Sequence, residues 1–139
     1  MQENEALIRN LYACAEGDRR NFDEFVSHFA RDGYMRDIPA GLELRGKEIS
    51  DYLEMVTAAF PDVHRELFSV YVAGQVVIVE LAIRAKHSGD LPLPSGILAA
   101  TGKAIDVPCC DVFQIKDGKI ASFHCYNASS VLLHQLGAG

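Results

Sequence analysis

"VPCCDVFQIKDGKI", residues 107–120, decides how the second half of the chain folds and carries an acid in an unexpected place. Read with a two-residue period, Val107, Cys109, Phe113 and Ile115 share one face with Ile105, and Asp106, Gln114 and Lys116 share the other. Alternation of this kind is the mark of a half-buried strand. Lys116-Asp117-Gly118 reads as a hairpin turn, and residues 119–127 read as the returning strand. Asp111 falls within the apolar row. An ionised carboxylate in a dry setting costs several kcal/mol unless it is paired, hydrogen-bonded or protonated. Asp111 therefore meets water or a subunit interface, or accepts bonds from a buried donor and fixes the strand, or lines a cavity where its pKa is raised and it can exchange a proton.

Upstream, the alternation continues. Residues 76–87 form a long strand with Val77, Val79, Leu81, Ile83 and Ala85 on one side and Glu80, Arg84 and Lys86 on the other. Gly74-Gln75 separates it from a strand over 65–73. "SGDLPLPSG", residues 88–96, is a Pro/Gly loop of functional length, and a strand over 97–115 follows it, bent or bulged near Pro108 because proline cannot donate to a ladder. Before residue 64 the period is helical. Leu7, Ile8, Leu11, Tyr12, Cys14 and Ala15 mark a helix over 3–16. Asn21, with Glu24 three residues on, caps a second helix that carries Phe22, Phe25, Val26 and Phe29 and ends at Arg31-Asp32-Gly33. A short extended piece over 34–38 breaks at Pro39-Ala40-Gly41. Ile49, Tyr52, Leu53, Val56 and Phe60 mark a third helix closed by Pro61. Helices first and an antiparallel meander after them predict an α+β domain whose single curved sheet encloses a pocket.

The 139 residues are 49% hydrophobic and 23% charged, the balance of one globular domain. A net charge of -6 with no basic cluster beyond Arg19-Arg20 argues against nucleic acid and anionic lipid as partners. The acidic start MQENEALIRN does not resemble a secretory signal, and no apolar run is long enough to span a bilayer, so a cytoplasmic location is expected. Cys14, Cys109, Cys110 and Cys125 lack CxxC spacing, and the five histidines form no HxxxH or HExxH, so buried free thiols and no metal site are expected. GxGxxG, GxxxxGK[ST] and GxSxG are absent from the sequence, and no cofactor is expected.

Further candidates follow from position. Asp37 precedes a Pro/Gly break, where an aspartate is either a turn former or a cavity-edge base. Tyr12 lies on the apolar side of the first helix, where a phenol packs and its hydroxyl reaches one partner. His87 at the end of the long strand and His124 in the last strand either line a cavity or are satisfied core or rim histidines.

"AAFPDVHREL", "AKHSGDLPLPSG", "TGKAIDVPCCDVFQIKDGKI" and the closing "LLHQLG", in this order over nearly the whole chain, resemble the SnoaL-like polyketide cyclases of the nuclear-transport-factor-2-like superfamily. The resemblance implies three N-terminal helices on a strongly curved antiparallel sheet, a cone with a central pocket, and a homodimer formed through the sheet. It also implies that Asp111 is the acid that shuttles a proton during an intramolecular aldol closure, without metal or cofactor, on a hydrophobic carbonyl-containing small molecule. A second similarity, to ketosteroid isomerases, places a general base at Asp37 in "RDIPAGLELRG", a protonated hydrogen-bond donor at Asp111 in "DVFQI" and an oxyanion tyrosine near Tyr12, with Asn127 where that family has tryptophan. On either likeness Met35, Met55, Phe60 and Phe113 are expected as apolar walls, and His87, His124 and Asn127 as pocket-lining groups. A ligand-binding dimeric domain without turnover is the third expectation, because one architecture serves many functions.

Overall fold

The computed structural model describes residues 2–139. Helix α1 (Gln2–Ala13) buries Ile8, Leu11 and Tyr12 on the stripe expected of it. A 3-10 turn (Gly17–Arg19) leads to α2 (Phe22–Ser27), where the Asn21 side chain accepts the N–H of Glu24 at 3.0 Å. This helix is shorter than its apolar spacing predicts. The Ser27 hydroxyl and the His28 ring both bond the Glu24 carbonyl at 2.6 Å, and Phe29 already pairs with the last strand, so strand pairing overrides helical periodicity. Strand β1 (Phe29–Asp37) turns through Pro39-Ala40 into β2 (Leu42–Leu44), and α3 (Lys47–Ala59) follows.

Strands β3 (His64–Ala73) and β4 (Val76–Lys86) form the first long hairpin. The Pro/Gly segment is itself a small hairpin, β5 (Leu91–Leu93) against β6 (Gly96–Leu98), so the long strand that follows, β7 (Ala104–Lys116), begins later than the sequence pattern suggests. The β4–β7 register runs unbroken through Pro108, which stands opposite Ala82. The Pro108 carbonyl accepts the Ala128 N–H at 3.0 Å, so its imide nitrogen points to the same side, where the neighbouring strand has ended and no ladder bond is lost. No bulge is needed. At the turn, Asp117 (φ 51°) and Gly118 (φ 75°) both take the left-handed conformation that a two-residue hairpin requires. Strand β8 (Lys119–Asn127) then runs into α4 (Ser129–Leu136), a helix not anticipated from the sequence.

The six-stranded sheet has the order β2-β1-β8-β7-β4-β3. It is α+β as expected, but mixed, because β1 pairs in parallel with β8 while every other pair is antiparallel. On the inner face α1 packs against β3 and β4 and α2 against β1, α3 lies beside α2 and β5, and α4 packs with β7 beside the β5–β6 hairpin. Two apolar clusters result. The larger joins α1, α2 and α3 to the sheet, and the smaller joins Phe60, Val63, Leu91, Ile105, Val107 and Leu136. Among the described residues no helix is long and apolar enough to cross a membrane.

Candidate active site

Strand register places the site. In β7 the odd residues from Ile105 to Ile115 are all buried, Asp111 among them at 3% exposure. Asp111 stands opposite Cys125 on β8, and Cys125 stands opposite Asp37 on β1. Opposed residues share a face, so the two aspartates flank Cys125 in one row, two strand spacings or about 9.5 Å apart at the backbone. Cys109 and Asn127 form the next row of β7 and β8.

Each aspartate has a tyrosine from a different helix. The Tyr12 hydroxyl of α1 donates to Asp111 Oδ2 at 2.6 Å, and the Tyr52 hydroxyl of α3 donates to Asp37 Oδ2 at 2.6 Å. Between the pairs runs a polar seam. Cys109 Sγ donates to Asp111 Oδ1 at 3.3 Å and lies 3.7 Å from Cys125 Sγ. Asn127 Nδ2 donates to Cys125 Sγ at 3.4 Å and to Asp37 Oδ1 at 3.1 Å. The Ala40 N–H also donates to Asp37 Oδ1, at 3.3 Å. Asp37 is thus an acceptor toward every partner. Asp111 has fewer partners and a drier setting.

Burial raises the Asp111 carboxyl above the usual aspartate value, and the hydrogen bonds from Tyr12 and Cys109 only partly pull it back. Burial also lifts both phenols well above their ordinary range, each helped by the carboxylate it faces. The Cys109 thiol is raised too, by its contact with Cys125 and then by burial.

These groups form the floor of a cavity of about 540 Å³, within the range of small-molecule sites. Its walls are apolar: Met35, Leu53, Met55, Phe60, Leu81 and Val107 are among them. Leu91–Pro94 of the small hairpin and Leu132 and Leu133 of α4 close one side. Arg65 lines it as well, its guanidinium held 3.5 Å from Glu16 Oε1.

Of the residues singled out from the sequence, Asp111, Asp37, Tyr12, Met35, Met55, Phe60 and Asn127 line this cavity. Three do not. Phe113 is fully buried beneath it, with Tyr12 edge-on at 6.0 Å and Phe123 at 4.3 Å filling the space a guest would need. His87 is buried behind Phe60, with Nδ1 accepting the Thr101 N–H at 3.1 Å. His124 lies on the outer face, opposite Val112 and 3.2 Å from the Tyr34 hydroxyl. Sequence reasoning placed Tyr52 only on an apolar stripe and treated Cys109 and Cys125 as inert thiols. Cys109 shares the face of Asp111 in β7 and Tyr52 the helical stripe of Phe60, but Cys125 turns inward only because the β7–β8 register shifts by one between Gln114 and Ile115, which the sequence does not reveal.

A sheet, helices and hairpin that wall an apolar cavity with two buried aspartates at its floor define a protein of the α+β cone type. The chain belongs to the SnoaL-like domain family, whose model matches residues 8–123. Solved structures agree on the fold. AclR, a proposed hydroxylase from Streptomyces galilaeus, superposes with a TM-score of 0.83 at 21% identity, covering 100% of this chain and 87% of its own. A proposed SnoaL-like polyketide cyclase from a Jannaschia species gives 0.82 at 16% identity, covering 99% and 94%. A protein of ketosteroid-isomerase-like fold from Catenulispora acidiphila gives 0.78 at 23% identity, covering 96% and 93%. No curated protein matches the chain by sequence.

Proposed function

We propose that this protein is an acid/base enzyme acting on a hydrophobic, carbonyl-containing small molecule, in the manner of a polyketide aldol cyclase. The observation that carries this reading is the pair of Tyr–Asp hydrogen bonds, both 2.6 Å, facing one apolar cavity from opposite sides of β8. Their environments differ. Asp37 accepts from Tyr52, Asn127 and Ala40, which suits a base that removes a proton beside a carbonyl. Asp111 is dry, and burial raises its carboxyl above the usual aspartate value, which suits an acid that donates to the oxygen where negative charge develops, with the Tyr12 hydroxyl beside it. All the proton-handling groups come from the chain itself. The apolar walls orient a guest between them, and such positioning is worth several kcal/mol.

A double-bond shift of the ketosteroid-isomerase kind uses the same layout, and the donors that surround Asp37 on every side favour it as the single base in that case. The exposed Phe68, Tyr71 and Tyr126 support pairing of two chains as a homodimer through the sheet. The test is turnover of a panel of polyketide esters, polycyclic ketones and steroids by wild type, Asp111→Asn and Asp37→Asn. Ring closure lost most in Asp111→Asn supports the cyclase, and isomerisation lost most in Asp37→Asn supports the isomerase. A ligand bound without turnover by any of the three proteins leaves a binding domain.

A further inference from the structure

Cys109, Asp111 and Cys125 are buried, and one ligand atom from each lies within 4.8 Å of the other two. The sheet makes this cluster: Cys109 and Asp111 are two residues apart on β7, and Cys125 is the β8 partner of Asp111. The two sulfurs are 3.7 Å apart, and Cys109 Sγ is 3.3 Å from Asp111 Oδ1. A tetrahedral ion with thiolate bonds near 2.3 Å and a carboxylate bond near 2.0 Å has sulfur–sulfur edges of about 3.8 Å and sulfur–oxygen edges of about 3.5 Å. Two of the three edges therefore match to within a few tenths of an ångström, and the third, from Cys125 to the Asp111 carboxylate, lies within 4.8 Å. All three residues line the cavity, so the cluster is open to it.

We propose that Cys109, Cys125 and Asp111 bind one thiophilic divalent cation of the zinc class, with the fourth position open to water or to a carbonyl oxygen of the guest. The surrounding bonds already suit a loaded site. Tyr12 holds Oδ2 of Asp111 and leaves Oδ1 turned to Cys109, while Asn127 Nδ2 points at Cys125 Sγ, where a thiolate would accept it. Two sulfurs select zinc, cobalt or cadmium over magnesium and calcium. Loading displaces the thiol protons to solvent, so affinity increases with pH. It also occupies the oxygen of Asp111 nearest the thiols, so metal-loaded and proton-donating states exclude one another. The site does not depend on the proposed reaction, because a chain without turnover would bind the ion equally.

The experiment is titration of reduced, chelator-treated protein with Co²⁺ and then Zn²⁺, read by thiolate-to-cobalt charge-transfer absorption and by metal content after desalting. One ion per chain is expected, displaced by zinc. Cys109→Ser and Cys125→Ser should each weaken binding by at least about a hundredfold, beyond the loss of a mere outer partner. Cys110→Ser, on the opposite face of β7, should bind as wild type. X-ray absorption of zinc-loaded wild type, which needs no variant to fold, should show two sulfur ligands. Absence of the charge-transfer band, fewer than two sulfurs, or binding that survives in Cys109→Ser and Cys125→Ser overturns the proposal.

Discussion

Replacing Asp111 by Asn removes a buried charge while keeping the shape of the side chain and an oxygen for the Tyr12 hydroxyl. Burial raises the Asp111 carboxyl above its exposed value of 3.8, so the folded chain holds this proton more tightly than the unfolded one. The associated stability is fully present below the unfolded pKa of about 3.9 and is lost as pH climbs through the raised folded value. Above that value wild type carries a buried anion and the variant does not. A buried ion costs several kcal/mol after relaxation, and the hydrogen bond from Tyr12 returns about 1.5–3 kcal/mol of it. The remainder is roughly 1–3 kcal/mol, and each kcal/mol moves the Tm of a chain this long by about 3–4 °C. Asp111→Asn should thus melt roughly 3–12 °C above wild type near pH 8, and the margin should shrink toward about pH 4. Calorimetry in metal-free buffers across that range measures it, and turnover of an identified substrate should fall by about 10²–10⁴ in the same protein. A variant that melts below wild type near pH 8, or by one constant margin at every pH, would refute the claim that Asp111 is held in a raised, dry state.

Asp37→Asn should lose less turnover than Asp111→Asn in ring closure, and double-bond isomerisation by wild type that falls most in Asp37→Asn would move the chemistry to the isomerase reading. Phe113→Ala should cost about 3–5 kcal/mol in urea unfolding, because the ring is fully buried under Tyr12 and Phe123. Gly89→Ala should cost roughly 1–3 kcal/mol, since an added Cβ would overlap the Ala58 carbonyl oxygen where the segment before β5 crosses the end of α3. Its melting temperature checks this. On the proposed homodimer, Phe68→Glu combined with Tyr126→Glu should shift sedimentation toward the monomer, while circular dichroism stays that of the folded chain.

The period of two over 76–86 and 105–115, the Asp117-Gly118 turn and the caps at Asn21 and Pro61 made most of the sheet and helices legible, because these elements are specified by neighbours in sequence. Pairing of β1 with β8 is not, since alternation tells which face a residue takes and not which strand lies beside it. Phe25, Val26 and Phe29 fit a helical stripe, yet Phe29 is the first residue of β1. α4 has no side-chain N-cap and only eight residues, too weak a pattern to see. At the site, the misplaced acid was visible as such. Hollow and filled parts of the core look alike in sequence: Phe113 and Asp111 are two apart on one face, and only the packing of Tyr12 over Phe113 separates wall from filling. His124 reads as inward when counted back from the turn, and the one-residue register shift between Gln114 and Ile115 is what places it outside, between inward Phe123 and Cys125.

The parallel seam between β1 and β8 has a consequence for synthesis. Tyr12 and Asp111 are 99 positions apart, and Asn127 reaches Asp37 across 90. A ribosome delivers β1 long before β8, the strand that receives it, and loops of that span close slowly. The pocket therefore cannot assemble on any nascent chain that stops short of β8, and such a fragment leaves the inner edge of β1 open to the wrong neighbour.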